Sequence, residues 1–256
     1  MKCKILIPTC NKYIKFIKFV LRSFKMYWPD YNNWEIVILG YNPPDFELDS
    51  NVSFYSMGKE CPIGEWSTPI KKYLQSIDDE YFIYWNDDGP LSSPVSEEIL
   101  SFLSSFLYEN QDSNVVNCCL HGDIATRPHQ VINEYPDFKL IEANQSNKYR
   151  LSTSFKIWKK EYFLKYLHDN ITPWAYELQH PTNDGYRLFG ITNDNNLYCT
   201  DHYHIFKGVW RPPHNGYLNK EWHKSVWKKT DMKETDPSGY DLLNELLNQH
   251  KAEGYI

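Results

Sequence analysis

The chain lacks the glycine-rich signatures with which many nucleotide-binding proteins hold phosphate. Neither GxGxxG nor GxxxxGK[ST] occurs among its 256 residues. Because those motifs bring backbone N–H groups close to phosphate oxygens, their absence argues against a Rossmann dinucleotide site and against a P-loop. A GxSxG nucleophile elbow is absent too, and no Ser-His-Asp or Cys-His set can be recognised from spacing.

Long apolar runs and paired cysteines are also missing. No apolar run approaches the ~20 residues that span a membrane, and Ile5-Leu6-Ile7 is too short for the core of a signal peptide. The six cysteines show no CxxC spacing, so we expect reduced thiols. We therefore predict a cytoplasmic protein.

Basic residues are fewer than acidic ones: the chain has 27 Lys and Arg, 33 Asp and Glu, and a net charge of −6. This balance argues against a general nucleic-acid-binding surface, which needs a positive field, although a local basic groove stays open. Aromatic residues make up 16% of the chain. Part of them must lie in the core, and the surplus is weakly indicative of a platform for a sugar or a base.

Hydrophobic patterning predicts alternating strands and helices. Short apolar runs predict strands at 4–7, 34–39, 52–55, 81–85, 114–120 and 155–158. Helical spacing predicts helices at 13–28, 66–77 and 160–167. A further helix is predicted to begin at Ser93-Pro94, and a last one is predicted to end at Gly254. This order predicts an α/β domain, a mostly parallel central sheet flanked by helices. Residues 121–148 and the C-terminal third look irregular. We expect one domain over residues 1–210, with residues 211–256 as a lid or tail and helix packed on it.

The strand at Tyr81–Trp85 ends abruptly in Asn86-Asp87-Asp88-Gly89. Five β-prone residues in succession predict a strand buried on both faces, and the turn-forming residues that follow cannot continue it. Two carboxylates therefore lie at the carboxyl edge of a central strand, where open α/β sheets bind ligands. Carboxylates suit a hard divalent cation, which leaves positions for substrate phosphate oxygens. An ordinary Asx-rich turn is the alternative.

The first predicted strand ends in Pro8-Thr9-Cys10-Asn11. A strand that ends in small polar residues before a helix is typical of a nucleotide-facing edge. Because no glycine-rich phosphate loop is present, bound phosphates would need a metal, which agrees with the acidic loop.

The segment Thr172-Pro173-Trp174-Ala175-Tyr176-Glu177 predicts a short helix. Thr172 can cap it, and Pro173 suits its first position. Glu177 then lies about one turn into the helix between aromatic neighbours, where it is a candidate general base. The alternative is a structural Glu beside core aromatics.

Histidines two positions apart occur at His202 and His204. On a strand such residues share a face, so the two could bind one metal or phosphate together, while a half-buried strand is the alternative. Lys207 and Arg211 follow and could meet pyrophosphate charge as a closing lid. His121-Gly122-Asp123 forms a further group with Arg127 and His129, which either contacts an acceptor or belongs to a surface loop.

The order of these elements resembles nucleotide-sugar-dependent glycosyltransferases of the GT-A type, in particular small bacterial and viral enzymes that decorate polysaccharides. The resemblance rests on the strand before Pro8-Thr9, the acidic triplet after the fourth strand and the later Pro-Trp-x-x-Glu segment, and it covers roughly residues 3–210. It implies a GT-A (Rossmann-like) catalytic domain, a nucleotide-sugar donor, of which a UDP-sugar is the first choice, and Mn²⁺ or Mg²⁺.

The resemblance also implies roles for single residues. Asp88 matches the metal-binding position, Asp87 a supporting contact to ribose or metal, and Glu177 the base. Asn86 takes the first position of the triplet, at the nucleotide, where these enzymes often have an Asp. The remaining matches are Pro8 and Thr9 with Asn11 at the nucleotide edge, His202 or His204 as a metal or diphosphate ligand, and Lys207 and Arg211 at the diphosphate.

Together these features predict a metal-dependent hexosyl- or pentosyltransferase that acts on an acceptor hydroxyl, such as that of a glycan, with inversion. Two rivals stay open at this point: a two-metal phosphoesterase or nuclease built on Asp87, Asp88, His202 and His204, and a non-catalytic carbohydrate-binding module. A modified DNA base is a variant acceptor, which the net negative charge disfavours.

Overall fold

A computed structural model describes residues 3–91, 93–179, 181–192, 204–206, 209–211 and 237–254. Nine strands of these residues form one sheet: β1 (Lys4–Pro8), β2 (Ile36–Gly40), β3 (Val52–Ser56), β4 (Tyr81–Tyr84), β5 (Val115–Cys119), β6 (His129–Glu134), β7 (Lys139–Ala143), β8 (Lys156–Lys159) and β9 (Arg187–Thr192).

The strand order is β3-β2-β1-β4-β8-β5-β9-β7-β6. Strands β1 to β4 run parallel, and β9 runs parallel to β5. Strand β8 lies antiparallel between β4 and β5, and β7 runs antiparallel to β9. The prediction of a mostly parallel sheet is therefore confirmed.

Helices cover both faces of this sheet: α1 (Ile17–Tyr27), α2 (Ser67–Ser76), α3 (Glu97–Glu109), α4 (Lys160–Tyr166) and α5 (Pro173–Glu177). The apolar cluster on one face takes residues from α1 and α3, such as Phe24 and Leu103. The cluster on the other face takes residues from α2, α4 and α5, such as Leu74, Phe163 and Tyr176. Burial of these large side chains on both faces is the main force that holds the layers together.

Strand β4 is buried on both faces, as its sequence predicts. Tyr81, Ile83 and Trp85 belong to one apolar cluster, while Phe82 and Tyr84 belong to the other. The backbone N–H of Trp85 still donates to the Leu6 carbonyl at 2.9 Å, one residue beyond the strand. The chain therefore leaves the sheet at Asn86, where the acidic residues begin.

The prediction of irregular structure over residues 121–148 is wrong, because β6 and β7 form an antiparallel hairpin there. All six residues of β6 are exposed at the edge of the sheet, so its sequence carries no apolar alternation. Strand β7 buries Leu140 and Ile141, and it also buries Glu142, which accepts a hydrogen bond from Arg187 Nη2 at 2.7 Å. Because this polar pair interrupts the apolar residues of β7, hydrophobicity alone does not predict the strand.

Two further elements differ from the prediction. Strand β9 was not anticipated. Helix α3 begins at Glu97 rather than at Ser93-Pro94, because Ser96 caps it by accepting a hydrogen bond from the Ile99 N–H at 3.4 Å. Glu97 and Glu98 occupy its first turn as predicted, where they interact favourably with the helix dipole.

The last helix, α6 (Pro237–Ala252), packs through Leu243 and Leu246 against Phe16 and Phe19. Gly254 follows it with a φ of 78°, as its predicted role at the helix end requires. The division of the chain at residue 210 stays a prediction.

None of the helices in the described part of the chain is long and apolar enough to cross a membrane. The cytoplasmic location stays a prediction. Five cysteines, Cys3, Cys10, Cys61, Cys118 and Cys119, are free thiols, while Cys199 lies outside the described residues.

Candidate active site

The loop after β4 is held in a tight turn by its own backbone. The Gly89 N–H donates to the Asn86 carbonyl at 3.2 Å, and the Trp85 indole N–H donates to the Gly89 carbonyl at 2.8 Å. Gly89 lies against the Phe155 ring so closely that an added Cβ would be 2.2 Å from Phe155 Cζ. The sequence thus needs a glycine here because of packing, and the turn presents Asp87 and Asp88 at the sheet edge.

Thr9 and Asp87 are brought together at this edge. Strands β1 and β4 pair in parallel with Leu6 opposite Tyr84, so the residues that follow both strands emerge side by side. The Thr9 hydroxyl donates to Asp87 Oδ2 at 2.7 Å. The predicted nucleotide edge at Pro8-Thr9 and the acidic loop therefore belong to one site.

In the part of the chain that the structure describes, Asp87 and Asp88 have no positively charged partner. Within the described residues, no Lys, Arg or His side chain forms an ion pair with Asp87 or Asp88. Burial raises the pKa of both groups, and the charge of Asp87 raises the pKa of Asp88 further, while the bond from Thr9 lowers the pKa of Asp87. Uncompensated, shielded negative charge of this kind favours a bound cation.

These oxygens fit the predicted Mn²⁺ or Mg²⁺. Both ions prefer carboxylate oxygens, and Mg²⁺ is typically held by only one or two carboxylates together with substrate phosphates. The two carboxylates also affect two neighbouring groups. Burial and the charge of Asp87 raise the pKa of the Cys10 thiol to about 11. Burial and the charges of Asp87 and Asp88 raise the pKa of the Tyr13 hydroxyl to about 12.

Asn11 serves the scaffold around this edge. Its backbone N–H and its side-chain amide donate to the two oxygens of Glu60 at 3.0 and 2.8 Å. Its side-chain oxygen accepts from the Asn42 N–H at 3.0 Å. Asn11 thus ties the end of β1 to the segments that flank β2 and β3, and its predicted contact with a nucleotide stays a prediction.

Glu177 is fixed at one of its two oxygens. Helix α5 is capped as predicted, since the Thr172 side chain accepts from the Ala175 N–H at 3.0 Å. Glu177 Oε1 accepts from both the backbone N–H and the hydroxyl of Thr153, at 2.7 and 2.8 Å. No described residue donates a hydrogen bond to Oε2, so that oxygen is available to a ligand.

Glu177 and the acidic loop act on one common neighbour. Burial is the main cause that raises the pKa of Tyr84, and the negative charges of Asp87, Glu177 and Asp88 add to it. Tyr84 stacks on Phe163, which in turn packs against Tyr176, the residue before Glu177. The candidate base and the candidate metal ligands therefore lie near the same end of β4.

A second polar cluster lies two strands away at this edge. Ligand atoms of Cys119, His121 and Asp123 lie within 4.8 Å of one another. Asp123, however, already accepts from Arg127 Nε and Nη2 at 3.0 and 2.5 Å and faces Lys156 Nζ at 3.4 Å. Two nearby cations leave this donor set less suited to a metal ion than Asp87 and Asp88 are.

The charges within the cluster shift each other's pKa. Burial raises the pKa of Asp123, but Lys156, His121 and Arg127 together outweigh it and lower the value to about 2. Burial likewise disfavours the charged forms of Cys119 and His121, but their mutual attraction prevails, so that the pKa of the thiol is lowered and that of the imidazole is raised. The predicted alternative of a surface loop does not describe His121 and Asp123, which are half-buried.

The C-terminal candidates cannot be assigned to this site. Two short strands, β10 (His204–Phe206) and β11 (Val209–Arg211), pair antiparallel with His204 opposite Arg211. His202 and Lys207 lie outside the described residues. The roles of all four residues stay predictions.

Local sequence patterns do not mark several residues of the site, namely Tyr84, Thr153, Lys156 and Ser154, whose hydroxyl lies 2.9 Å from His121 Nε2. The pattern of β4 marks Tyr84 only as a residue of a buried strand. The other three lie where β8 begins, and β8 is brought beside β4 by an antiparallel insertion that no local pattern marks. Their only signal was the cluster of small hydroxyl residues at 152–154, directly before a predicted strand.

No family model and no curated protein matches this chain. Solved structures do match it. One is Staphylococcus aureus TarS, with 19% identity, 76% of this chain and 35% of that chain covered, and a TM-score of 0.44. Another is TarS 1–349 in complex with UDP, with 16% identity, 76% and 58% covered, and a TM-score of 0.44. This chain thus spans about a third of the longer TarS chain and somewhat over half of the shorter one.

A third is a cytidylyltransferase from Leptospira borgpetersenii, with 14% identity, 76% of this chain and 77% of that chain covered, and a TM-score of 0.43. With every TM-score below 0.5 and every identity below 20%, the likeness assigns no activity and no residue role to this chain.

Proposed function

We propose that this protein is a metal-dependent glycosyltransferase that moves a sugar from a nucleotide-sugar donor, with a UDP-sugar as the first choice, to an acceptor hydroxyl with inversion. The observation that carries the proposal is the contact between Thr9 and Asp87. It joins the predicted nucleotide edge to a pair of carboxylates that no described cation neutralises, and Glu177 lies near enough for its charge to act on the same Tyr84 as theirs.

Asp88, supported by Asp87, would hold Mn²⁺ or Mg²⁺, and such an ion supplies positive charge that stabilises a departing nucleoside diphosphate. The protein supplies the positions of these ligands. Gly89 and Trp85 fix the turn that carries both carboxylates, and Thr9 holds Asp87 Oδ2. Asp88 receives no hydrogen bond from a side chain of the described residues, so it is the carboxylate of the pair that is less restrained by the protein and better placed to bind the ion.

Glu177 would take the proton from the acceptor hydroxyl as that oxygen attacks the anomeric carbon. General bases need to be fixed in position, and they contribute about 10²–10⁴-fold to a rate. Thr153 provides the fixation by two hydrogen bonds to Oε1, which leaves Oε2 without a donor among the described residues. Inversion is part of the proposal, because a base that activates the acceptor hydroxyl allows a direct displacement of the diphosphate.

The test is thermal unfolding in the presence of UDP, GDP, CDP or ADP, each with Mn²⁺ and then with EDTA. A ligand that binds only the folded protein raises its stability by mass action, so we expect one diphosphate to raise the Tm with Mn²⁺ and to lose its effect in EDTA. Asp88→Asn should abolish the shift. Asp137→Asn, which changes an exposed carboxylate in the turn between β6 and β7, should leave it intact.

A Tm that responds to no diphosphate, or a shift that survives both EDTA and Asp88→Asn, would contradict the proposal. The first result would favour a carbohydrate-binding module if glycans were bound in EDTA. Cleavage of a phosphodiester or phosphomonoester without any sugar donor would favour the phosphoesterase instead.

A further inference from the structure

Tyr84 occupies the last position of β4 at the edge that carries the candidate active site. Its neighbours in register are Leu6 of β1 and Lys156 of β8. Its ring stacks on Phe163 with 5.9 Å between centroids and 27° between planes. The residue is only 5% exposed, so packing on both sides holds the ring in one position.

Among the described residues, the hydroxyl at the end of this ring has no hydrogen-bond partner. No hydrogen bond from any described residue reaches it, although a phenol that is removed from water usually finds one. Its oxygen is also not one of the side-chain atoms that are both fully buried and unsatisfied. The hydroxyl therefore keeps some contact with solvent at this edge of the sheet, where a ligand oxygen can accept its hydrogen bond.

The surroundings of Tyr84 define what kind of group it meets. The charges of Asp87, Asp88 and Glu177 all act on it and, together with burial, raise its pKa well above the ordinary value. The phenol therefore stays protonated, and it presents a donor in a place where the nearby protein groups are negative. An oxygen that is neither a carboxylate nor a metal ligand fits this place, such as the hydroxyl of a sugar.

The geometry of the proposed reaction indicates which ligand group the Tyr84 hydroxyl would meet. In an inverting displacement the transferred sugar lies between the leaving diphosphate and the attacking acceptor. Asp87 and Asp88 would define the diphosphate side of the site, and Glu177 the acceptor side. We infer that the Tyr84 hydroxyl donates a hydrogen bond to a hydroxyl of the transferred sugar and thereby helps to select the donor; this inference rests on the proposed function.

The test compares Tyr84→Phe with wild type for binding of UDP and of UDP-glucose, UDP-galactose and UDP-N-acetylglucosamine, each with Mn²⁺, by calorimetry. A single neutral hydrogen bond is worth roughly threefold to tenfold in affinity. We expect the affinity for the preferred UDP-sugar to fall by that factor and the affinity for UDP to stay unchanged. The Tm of the free variant should not fall, because the deleted hydroxyl has no partner to lose.

Tyr81→Phe is the matched control, since Tyr81 lies on the same buried strand, at its other end and on its other face. It should change neither affinity. Equal loss of UDP and UDP-sugar binding in Tyr84→Phe, a lower Tm, or an effect only on the KM of the acceptor would overturn the inference and leave the glycosyltransferase proposal standing. Failure of wild type to bind any of the four nucleotides would remove the UDP-sugar donor, and the inference with it.

Discussion

The Thr9 hydroxyl donates a hydrogen bond of 2.7 Å to Asp87 Oδ2, although 78 residues separate the two in the chain. The bond fixes one oxygen of the acidic loop to the end of β1. Because Thr9 is buried and the carboxylate is shielded, this contact sets the distance between the predicted nucleotide edge and the predicted metal ligand.

The first prediction concerns this bond. Thr9→Val keeps the shape of the side chain and removes the donor, so the free energy of unfolding should fall by about 1.5 kcal/mol, the lower range for a hydrogen bond to a charged group. Urea unfolding measures it. Thr9→Ser keeps the hydroxyl, so its free energy of unfolding should fall clearly less than that of Thr9→Val. Equal free energies of unfolding for wild type and Thr9→Val would show that the bond contributes nothing.

The meeting of Thr9 and Asp87 could be predicted from sequence because it follows from strand order. Both residues directly follow apolar runs that read as parallel strands, and the carboxyl ends of parallel strands share one edge. Glu177 was placed correctly in a capped helix for a similar reason, since Thr172 and Pro173 form a local signal.

The support around these residues could not be predicted in the same way. The bonds from Thr153 to Glu177, and the ion pair of Lys156 with Asp123, depend on β8, which enters the sheet antiparallel between β4 and β5. Such pairing joins segments far apart in the chain, and nothing local in the sequence specifies it. The exposed strand β6 was missed for the opposite reason, because an edge strand in water needs no apolar pattern.

A second prediction concerns Gly89. The ring of Phe155 contacts it from one side and packs edge-on against Trp85 at 4.5 Å between centroids. A methyl group at residue 89 would overlap Phe155 Cζ and Cε1, at 2.2 and 2.6 Å, and the ring has little room to move. Gly89→Ala should therefore lower the free energy of unfolding by about 1–3 kcal/mol, the usual range for overpacking.

Urea unfolding of Gly89→Ala, with Gly64→Ala as control, measures this effect. Gly64 has no atom within 4 Å of an added Cβ and no positive φ, so its substitution should be nearly neutral. Phe155→Leu should recover part of the loss in the Gly89→Ala background. Additive losses in the double variant would show that the overlap with Phe155 is not the cause.

A third prediction follows from the charges on Asp123. Its pKa is lowered from the ordinary 3.8 to about 2 by Lys156, His121 and Arg127, despite burial. The stability that this group contributes is therefore fully present above about pH 4 and is lost as the pH falls towards 2. Asp123→Asn also leaves Lys156, which is 1% exposed, without its counter-ion, so at pH 7 it should cost about 3 kcal/mol.

The measurement is the free energy of unfolding of wild type and Asp123→Asn at several pH values between 7 and 2. The gap between the two should narrow below about pH 4. Glu134→Gln is the control, because Glu134 pairs with Lys139 in an exposed ion pair, and such pairs contribute less than about 1 kcal/mol. A gap that stays constant down to pH 2 would contradict the assigned charge state of Asp123.

The last prediction separates the base from the residue that positions it. Glu177→Gln keeps an oxygen that can accept both hydrogen bonds from Thr153, but the amide cannot take up a proton. Under the proposed function its kcat should fall by about 10²–10⁴-fold, while the affinity for the donor and the Tm stay close to wild type. Turnover at the wild-type rate would remove Glu177 from the role of base.

Thr153→Val then tests the positioning. It deletes the hydroxyl bond to Glu177 Oε1 and retains the backbone bond, so kcat should fall less than in Glu177→Gln, by about tenfold, the value of one net hydrogen bond. Thr153→Ser should restore kcat, and donor affinity should be unchanged in both variants. If Thr153→Val lowered kcat as much in the Glu177→Gln background as in wild type, Thr153 would act independently of Glu177, because residues that act through one another do not add.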